Sequence, residues 1–166
     1  MEKVKPLLEI GDVRTHFHTE KGLVKAVDGV SFTVHQGETV CIVGESGCGK
    51  SVTALSIMDL ISGAGSVSGS MKLAGTELRT LSKGDMRRIR GNEMAMIFQE
   101  PMSSLNPVLS IGEQLVETIL NHTTLSKKEA KKKALDLIEL VGIGRGEHIL
   151  KSYPHQMSGD CYCAFV

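Results

Sequence analysis

The sequence predicts an α/β fold with antiparallel β structure at its N-terminal end and helices toward its C-terminal end. Three observations lead to this prediction. β-prone stretches occupy residues 7–34, and a continuous apolar run at 38–44 leads through a glycine-rich loop into a helical pattern. From residue 110 onward, apolar residues recur at helical spacing. Strands and helices in this order are typical of a layered α/β protein.

The composition of the 166 residues is that of a globular domain. Apolar residues make up 41% and charged residues 23%, and Lys+Arg balances Asp+Glu at 19 each. A neutral chain argues against nucleic acid as a partner. The N-terminus lacks the apolar segment of a signal peptide, and no run is long enough for a membrane span, so we expect a cytosolic chain.

The N-terminal elements are predicted as strands. Residues 7–10 and 13–17 are short β-prone stretches, and 24–34 alternates before a turn signal at His-Gln-Gly. The apolar run 38–44 is typical of a strand buried on both faces of a parallel sheet, which makes Cys41 a small core residue.

A helix is expected to follow the glycine-rich loop, and shorter elements come after it. The apolar positions of this helix are Val52, Leu55, Ile57, Met58 and Ile61. Residues 62–69 are predicted as a loop and 70–78 as a short strand and turn. A short basic helix then leads to a buried strand at 94–98, which Pro101 ends.

The C-terminal part is predicted to be helical. Residues 110–122 form one helix, with its apolar side at Ile111, Leu115, Ile119 and Leu120. Residues 126–143 form another, which Ser126 and Glu129 open as a capping box and which buries Ala130, Ala134, Leu137, Ile138 and Val141. The lysine run 127–133 is interpreted as the solvated face of this helix, with a polyanion site as the minor alternative.

The stretch GESGCGKS matches the phosphate-loop pattern G-x-x-x-x-G-K-[ST] in full, between a predicted strand and a predicted helix. Its backbone N–H groups and the helix N-terminus would cradle phosphates, Lys50 would reach the β- and γ-phosphates, and Ser51 would bind Mg²⁺. A glycine-rich connecting turn is the alternative, and a redox role for Cys48 is a minor one. The predicted phosphate-binding residues are Gly44, Glu45, Ser46, Gly47, Cys48, Gly49, Lys50, Ser51 and Val52.

Three stretches together resemble the ATP-binding subunit of ABC transporters, in particular the dipeptide, oligopeptide and nickel importer branch. They are AVDGVSFTVHQGETVCIVGESGCGKS at 26–51, MAMIFQEPMSSLNP at 94–107 and YPHQMSG at 153–159. The likeness runs from residue 7 to residue 159. It implies a phosphate-loop NTPase core of the ABC type, RecA-like, with an N-terminal antiparallel β portion, a helical subdomain and an incomplete sheet.

The resemblance also implies roles for single residues. Gln99 resembles the Q-loop glutamine, which touches Mg²⁺ and links the site to the membrane subunits, and Lys50 and Gln99 are the expected catalytic residues. Phe17 resembles the aromatic that stacks on adenine, although a core role is as good a reading. Ser158 and Gly159 resemble the start of the signature motif, but Asp160 stands where the family has glycine. No apolar strand ending in Asp-Glu follows Gln99, so a general base is absent.

The implied function is the ATP-binding, ATP-hydrolysing subunit of a peptide-type importer, peripheral on the cytoplasmic face of the membrane. ATP and Mg²⁺ are the implied cofactors, and permease subunits and a second ATP-binding subunit, identical or different, are the implied partners. Residues 1–100 would form the nucleotide-binding core, 101–157 the helical subdomain and 158–166 the signature start with an aberrant tail. This pattern predicts C-terminal truncation, low stability and little hydrolysis. The alternatives are a non-hydrolysing nucleotide-binding fragment that docks on the membrane subunits and, more remotely, a small-molecule kinase.

Overall fold

Residues 5–63, 65–99 and 104–157 are described by a computed structural model of the chain. The chain divides into two compact units, Met1–Arg90 and Gly91–Val166. The division that the motifs suggest, between residues 100 and 101, stays a prediction.

The first unit contains a four-stranded antiparallel sheet. Its strands are β1 (Pro6–Thr19), β2 (Gly22–His35), β3 (Gly65–Leu73) and the short β4 (Thr76–Glu77). Their order in the sheet is β2-β1-β3-β4, and every neighbouring pair is antiparallel. The N-terminal antiparallel β portion predicted from sequence is therefore confirmed.

One face of this sheet carries buried side chains that alternate along the strands. In β1 these are Ile10, Val13 and Thr15, and in β2 the buried residue is Val27. The register between β1 and β2 shifts between Ile10 and Val13, so the alternation restarts after a bulge. This bulge places Val13 and Thr15 on the face against which the first helix packs.

The first unit also contains two α-helices, α1 (Lys50–Ile57) and α2 (Lys83–Ile89), and a 3₁₀ turn at Leu78–Thr80. Helix α1 packs against β1 and β2. Its two most buried residues are Thr53 and Ser56, which are polar. The predicted apolar face of this helix is therefore only partly right. Of its five positions only Met58 is buried, and it lies just after α1. The other four positions are half-buried: Val52, Leu55, Ile57 and Ile61.

The second unit is helical, with α3 (Ile111–His122), α4 (Lys127–Leu140) and α5 (Gly146–Lys151), followed by a short 3₁₀ turn at Pro154–Gln156. These helices enclose a core that consists of Val116, Ile119, Ala130, Ala134, Ile138 and Leu150. The capping box at Ser126 and Glu129 is present as predicted. Two residues assigned to the buried side of α4, Leu137 and Val141, are exposed, so the buried side is narrower than predicted and consists of Ala130, Ala134 and Ile138.

Two predicted strands are wrong, because neither 38–44 nor 94–98 forms a strand. A buried parallel strand needs neighbours that take up its backbone hydrogen bonds, and among the described residues the sheet contains only β1 to β4. The apolar side chains of these segments are consequently exposed, with Val43 at 86% and Ile97 at 73%. Cys41 is exposed as well, so its expected core role is also wrong.

The loop expected at 62–69 is mostly strand. Strand β3 begins at Gly65 and runs through the Ser-Val-Ser-Gly stretch that composition assigned to a loop. Its residues are held by pairing with β1, with Thr15 opposite Val67 and Phe17 opposite Gly65. Tertiary pairing here outweighs the local preference of serine and glycine for turns.

Candidate functional site

The segment Gly44–Gly49 forms an exposed loop that leads directly into α1. Gly47 and Gly49 have φ angles of 81° and 95°, which are left-handed conformations. Gly49 is the residue that caps α1, so the helix begins with Lys50. Left-handed residues alternating with right-handed ones turn successive N–H groups toward a common side, which is the geometry of an anion-binding nest.

The glycines of this loop also allow close approaches. A Cβ at Gly49 would overlap the carbonyl oxygen of Ala26 in β2, so the loop lies directly against the sheet at that point. A Cβ at Gly44 would lie 2.5 Å from Cys48 Sγ, across the loop. Side chains at these two positions would occupy the cradle or push it off β2.

The ammonium group of Lys50 folds back over the loop. Its Nζ donates to the carbonyl oxygens of Gly44 and Glu45, each at 2.7 Å, and lies 3.5 Å from Cys48 Sγ. An ammonium has three N–H donors, so two are held by strong acceptors and the third meets only a weak one. A phosphate oxygen would therefore displace only the contact with sulfur.

The N-terminus of α1 fits an anion as well. No side chain caps it, and its first turn contains no acidic residue. The first N–H groups of a helix have no acceptor within the helix, and they carry a partial positive charge. Ser51, in this turn, is exposed, so its hydroxyl is accessible beside those N–H groups. These donors and the glycine cradle match the chemistry of a polyphosphate with its metal ion.

A buried pair of hydroxyl groups fixes α1 to the sheet. Thr15 Oγ1 and Ser56 Oγ lie 2.7 Å apart, and Ser56 also donates to the carbonyl oxygen of Val52 at 2.6 Å. Thr15 and Ser56 are 0% and 1% exposed. This pair was not predicted from the sequence, since the two residues are 41 positions apart and no local pattern marks either one. The only sign in the sequence was that Thr53 and Ser56 interrupt the apolar pattern of the helix that follows the glycines.

Phe17 belongs to the same unit as the loop and is half-buried in β1. Its position pairs with Val24 in β2 and with Gly65 in β3. A Cβ added to Gly65 would lie 2.9 Å from Phe17 Cε1, so the ring lies across this glycine. The ring therefore has a packing role in the sheet.

The other predicted site residues lie apart from the loop in sequence. Gln99 is exposed, follows the unpaired segment 95–98 and belongs to the second unit. Ser158 and Gly159, the expected signature start, lie outside the described residues. Within residues 5–63, 65–99 and 104–157, His, Cys, Asp and Glu side chains form no group of three that could hold a metal ion. In the same part of the chain, no helix has both the length and the apolar character needed to span a bilayer.

Comparison with known proteins gives a family match over most of the chain. The family model described as ABC transporter matches residues 27–160. The oligopeptide transport ATP-binding protein AppD of Bacillus subtilis (strain 168) is 50% identical over 155 residues, which is 92% of this chain and 47% of that protein. The dipeptide transport ATP-binding protein DppD of the same strain is 48% identical over 161 residues, with 96% and 47% covered. The chain thus spans about half the length of these curated relatives.

Solved structures of ABC transporter cassettes superpose on this chain and show the same fold. The dimeric structure of MJ0796, a bacterial ABC transporter cassette, superposes with a TM-score of 0.80 at 21% identity, over 95% of this chain and 66% of that one. The structure of cbiO1 from Clostridium perfringens, part of the ABC transporter complex cbiONQ, gives a TM-score of 0.68 at 21% identity, over 96% and 59%. The α/β fold of an ABC-type cassette is therefore confirmed.

Proposed function

Because the chain belongs to the ABC transporter family, we propose that residues 44–52 bind the polyphosphate of ATP together with Mg²⁺. The observation that carries this proposal is the loop itself. Gly47 and Gly49 turn it into a nest, α1 presents an uncapped N-terminus, and the Lys50 ammonium is held above the loop carbonyls. Each of these features supplies positive charge or N–H donors at one place.

Each residue of the loop has a distinct part in this binding. The backbone N–H groups of 45–52 donate to phosphate oxygens, and Lys50 gives its third donor to the β- and γ-phosphates. Ser51 offers its hydroxyl as a ligand to Mg²⁺, and the role of Gln99 stays the prediction that the family resemblance implies. Mg²⁺ held by Ser51 would supply positive charge that offsets part of the charge of the phosphates. Phe17 is proposed to contact adenine with the part of its ring that β3 leaves exposed.

Equilibrium binding of a fluorescent ATP analogue tests this assignment. Lys50→Ala is expected to weaken binding at least about tenfold, because a charge-assisted contact to phosphate contributes about 1.5–3 kcal/mol. Lys72→Ala is the matched control, since Lys72 is an exposed lysine of β3 in the same unit. Ser51→Ala should bind nucleotide but lose the gain in affinity that Mg²⁺ gives the parent chain. Equal affinity of the Lys50→Ala and Lys72→Ala chains would contradict the proposal.

We also propose that the parent activity is ATP hydrolysis coupled to peptide uptake, with the subunit peripheral on the cytoplasmic face of the cell membrane. The names of the relatives support peptides as the cargo, since both are peptide transport ATP-binding proteins. The proposed partners are transmembrane permease subunits, met by residues 101–157, and a second ATP-binding subunit.

Co-expression with the permease subunits of a peptide importer tests this: the chain should sediment with the membranes only when those subunits are present. Sedimentation in their absence would contradict it.

A second function is favoured by the chemistry of the loop. Its binding groups are N–H donors, an ammonium and hydroxyls, its one carboxylate is that of the exposed Glu45, and the first turn of α1 has no carboxylate to act as a base. We therefore propose that the 166-residue chain alone holds ATP without appreciable turnover. Phosphate release at saturating ATP should match that of the Lys50→Ala chain, whereas turnover well above that variant would overturn this second proposal.

A further inference from the structure

The guanidinium of Arg90 lies at the C-terminal end of α1, the helix whose other end carries the phosphate loop. Arg90 Nε donates to the carbonyl oxygen of Met58 at 2.7 Å, and its Nη2 donates to the carbonyl oxygen of Asp59 at 2.6 Å and to Asp59 Oδ2 at 3.2 Å. The side chain of Arg90 is 28% exposed, against 87% for Arg88 of α2. Two of its donor groups are therefore committed to the backbone at the end of α1.

The carbonyl groups at this end of α1 are satisfied in two ways. Backbone N–H groups of residues 58–60 donate to the carbonyl oxygens of residues 54–56. The carbonyl oxygens of Met58 and Asp59, which follow the helix, accept from Arg90. A cation here also offsets the partial negative charge of a helix C-terminus. The last turn of α1 contains no basic residue of its own, so Arg90 supplies this charge from the end of α2.

Two further contacts fix α1 to the sheet. The hydroxyl groups of Ser56 and Thr15 lie 2.7 Å apart, and Gly49 lies directly against the carbonyl oxygen of Ala26. Both contacts come before Met58 in the chain. The contact with Arg90 therefore holds a different part of the helix, its C-terminal end.

The position of Ser56 along α1 makes the C-terminal contact important for the loop. From Ser56 the helix axis runs about 9 Å back to Lys50 and about 3 Å forward to Met58. A tilt about Ser56 therefore moves the Lys50 end about three times as far as the Met58 end. Small movements at the end that Arg90 holds become larger movements at the phosphate loop.

We propose that Arg90 is a positioning residue for the nucleotide. By holding the C-terminal end of α1, it sets the direction of the helix, and so the placement of the Lys50 ammonium and of the N–H groups of residues 45–52. Arg90 itself does not touch the nucleotide. Hydrogen bonds weaken steeply as the donor turns away from its acceptor, so a tilt of α1 weakens the phosphate contacts while the fold is kept. This inference rests on the proposed binding of ATP at the loop.

Binding of the fluorescent ATP analogue to the Arg90→Ala chain tests the proposal. Affinity should fall about tenfold, because small misplacements of positioned groups cost this much or more. Arg90→Lys should lie between the parent and Arg90→Ala, since an ammonium keeps the charge but lacks the planar fork of donors. Arg88→Ala is the matched control, because it removes an exposed arginine of α2 with the same change in net charge. A loss in the control equal to that in Arg90→Ala would overturn the proposal.

The variant Asp59→Asn separates the backbone contacts of Arg90 from its contact with the carboxylate. Asp59 has a φ of 51°, a left-handed conformation that asparagine also adopts. The substitution removes the charge of the side chain and keeps the carbonyl oxygen that accepts from Arg90. Affinity for the ATP analogue should equal that of the parent chain. A tenfold loss would overturn the proposal, which assigns the effect to the backbone carbonyls.

Amide hydrogen exchange distinguishes a positioning role from a general loss of stability. In the Arg90→Ala chain, exchange should become faster in residues 50–60 and stay as in the parent in β1 and β2, because only the end of α1 is released. Exchange that rises equally throughout the first unit would overturn the proposal, since Arg90 would then stabilise the unit as a whole.

The same measurements separate this inference from the proposed nucleotide site. If the parent binds the ATP analogue more tightly than Lys50→Ala, and Arg90→Ala binds as tightly as the parent, the positioning role is wrong and the nucleotide site stands. If the parent binds no more tightly than Lys50→Ala, the nucleotide site is wrong, and the positioning role is wrong with it.

Discussion

At the scale of single residues, the phosphate loop needs glycine for two reasons. Gly47 and Gly49 both need a positive φ angle, and Gly49 also needs space beside another segment. Both have positive φ, 81° and 95°. Only Gly49 lies against another segment, because a Cβ there would overlap the carbonyl oxygen of Ala26, while nothing lies within 4 Å of a Cβ at Gly47. The loop is therefore fixed to β2 at Gly49 and open at Gly47.

Substitution of each glycine by alanine separates the two effects. Gly47→Ala should destabilise the chain by about 1–2 kcal/mol, the strain of a left-handed non-glycine residue. Gly49→Ala should cost about 1–3 kcal/mol more, because the methyl group also overlaps backbone. Urea unfolding of the two variants gives the comparison. Equal midpoints would show that the contact with Ala26 does not constrain the loop.

The hydroxyl pair between β1 and α1 gives an asymmetric prediction. Ser56→Ala leaves Thr15 Oγ1 buried without its partner and should destabilise by about 1–3 kcal/mol. Thr15→Val should cost less, since Ser56 keeps its bond to the Val52 carbonyl oxygen. In a urea-unfolding cycle, the double variant should be less destabilised than the sum of the two. Strict additivity would mean that the two hydroxyls do not interact.

At the scale of elements, two capping boxes hold the helices of the second unit. Hydrogen bonds from the Ser110 hydroxyl and backbone lower the pKa of Glu113, and those from Ser126 lower the pKa of Glu129. Their stabilising contribution is present above the usual glutamate pKa of about 4.3 and is lost as pH falls through the lower folded value. The second unit should therefore loosen below about pH 4.3.

The double variant Glu113→Gln/Glu129→Gln tests this dependence. Glutamine still fits a capping box but does not titrate, so helix content should fall less steeply with pH below about 4.3 than in the parent chain. Glu139→Gln is the control, because Glu139 lies near the end of α4 and contributes only its backbone carbonyl, not its side chain, to the cap there. Circular dichroism at a series of pH values gives the curves. Parallel curves for the parent and the double variant would exclude the caps as the source of acid sensitivity.

The elements also show how far the sequence predicts the fold and the site. Three features could be predicted because each depends on residues that are neighbours in the sequence. They are the strand pattern of residues 7–34, the helix after the glycines and the capping box at Ser126. The same was true of the loop pattern Gly44–Ser51. The strands expected at 38–44 and 94–98 were wrong, because an apolar run becomes a strand only beside a partner. The pair Thr15–Ser56 and the contact of Gly49 with Ala26 were missed because both join residues distant in sequence.

At the scale of the whole molecule, those unpaired segments leave apolar surface exposed. Ile42 and Val43 are 46% and 86% exposed, and Ile97 is 73% exposed. Larger exposed patches of this kind promote association or mark a surface that another segment covers. Binding of a hydrophobic dye and a tendency to aggregate are therefore expected of the chain.

The variant Ile42→Ser/Val43→Ser should bind less of the hydrophobic dye and aggregate less. Its free energy of unfolding should change by less than about 0.5 kcal/mol per site, since exposed side chains contribute little to stability. Val43→Ile is the control that keeps the surface apolar. Unchanged dye binding in the serine variant, or a large loss of stability, would mean that this segment is buried in solution.

The most direct test of the proposed nucleotide site is to observe where ATP contacts the chain. Amide resonances of the chain are recorded with and without Mg²⁺–ATP. The largest shifts should lie in residues 45–52, where the nest and the N-terminus of α1 present their N–H groups, and the Lys50→Ala chain should need at least about ten times more ATP to reach them. The lysines of α4, namely Lys127, Lys128, Lys131 and Lys132, form another cationic surface. Shifts centred on residues 127–132, with residues 45–52 unaffected, would contradict the assignment of the phosphate loop as the nucleotide site.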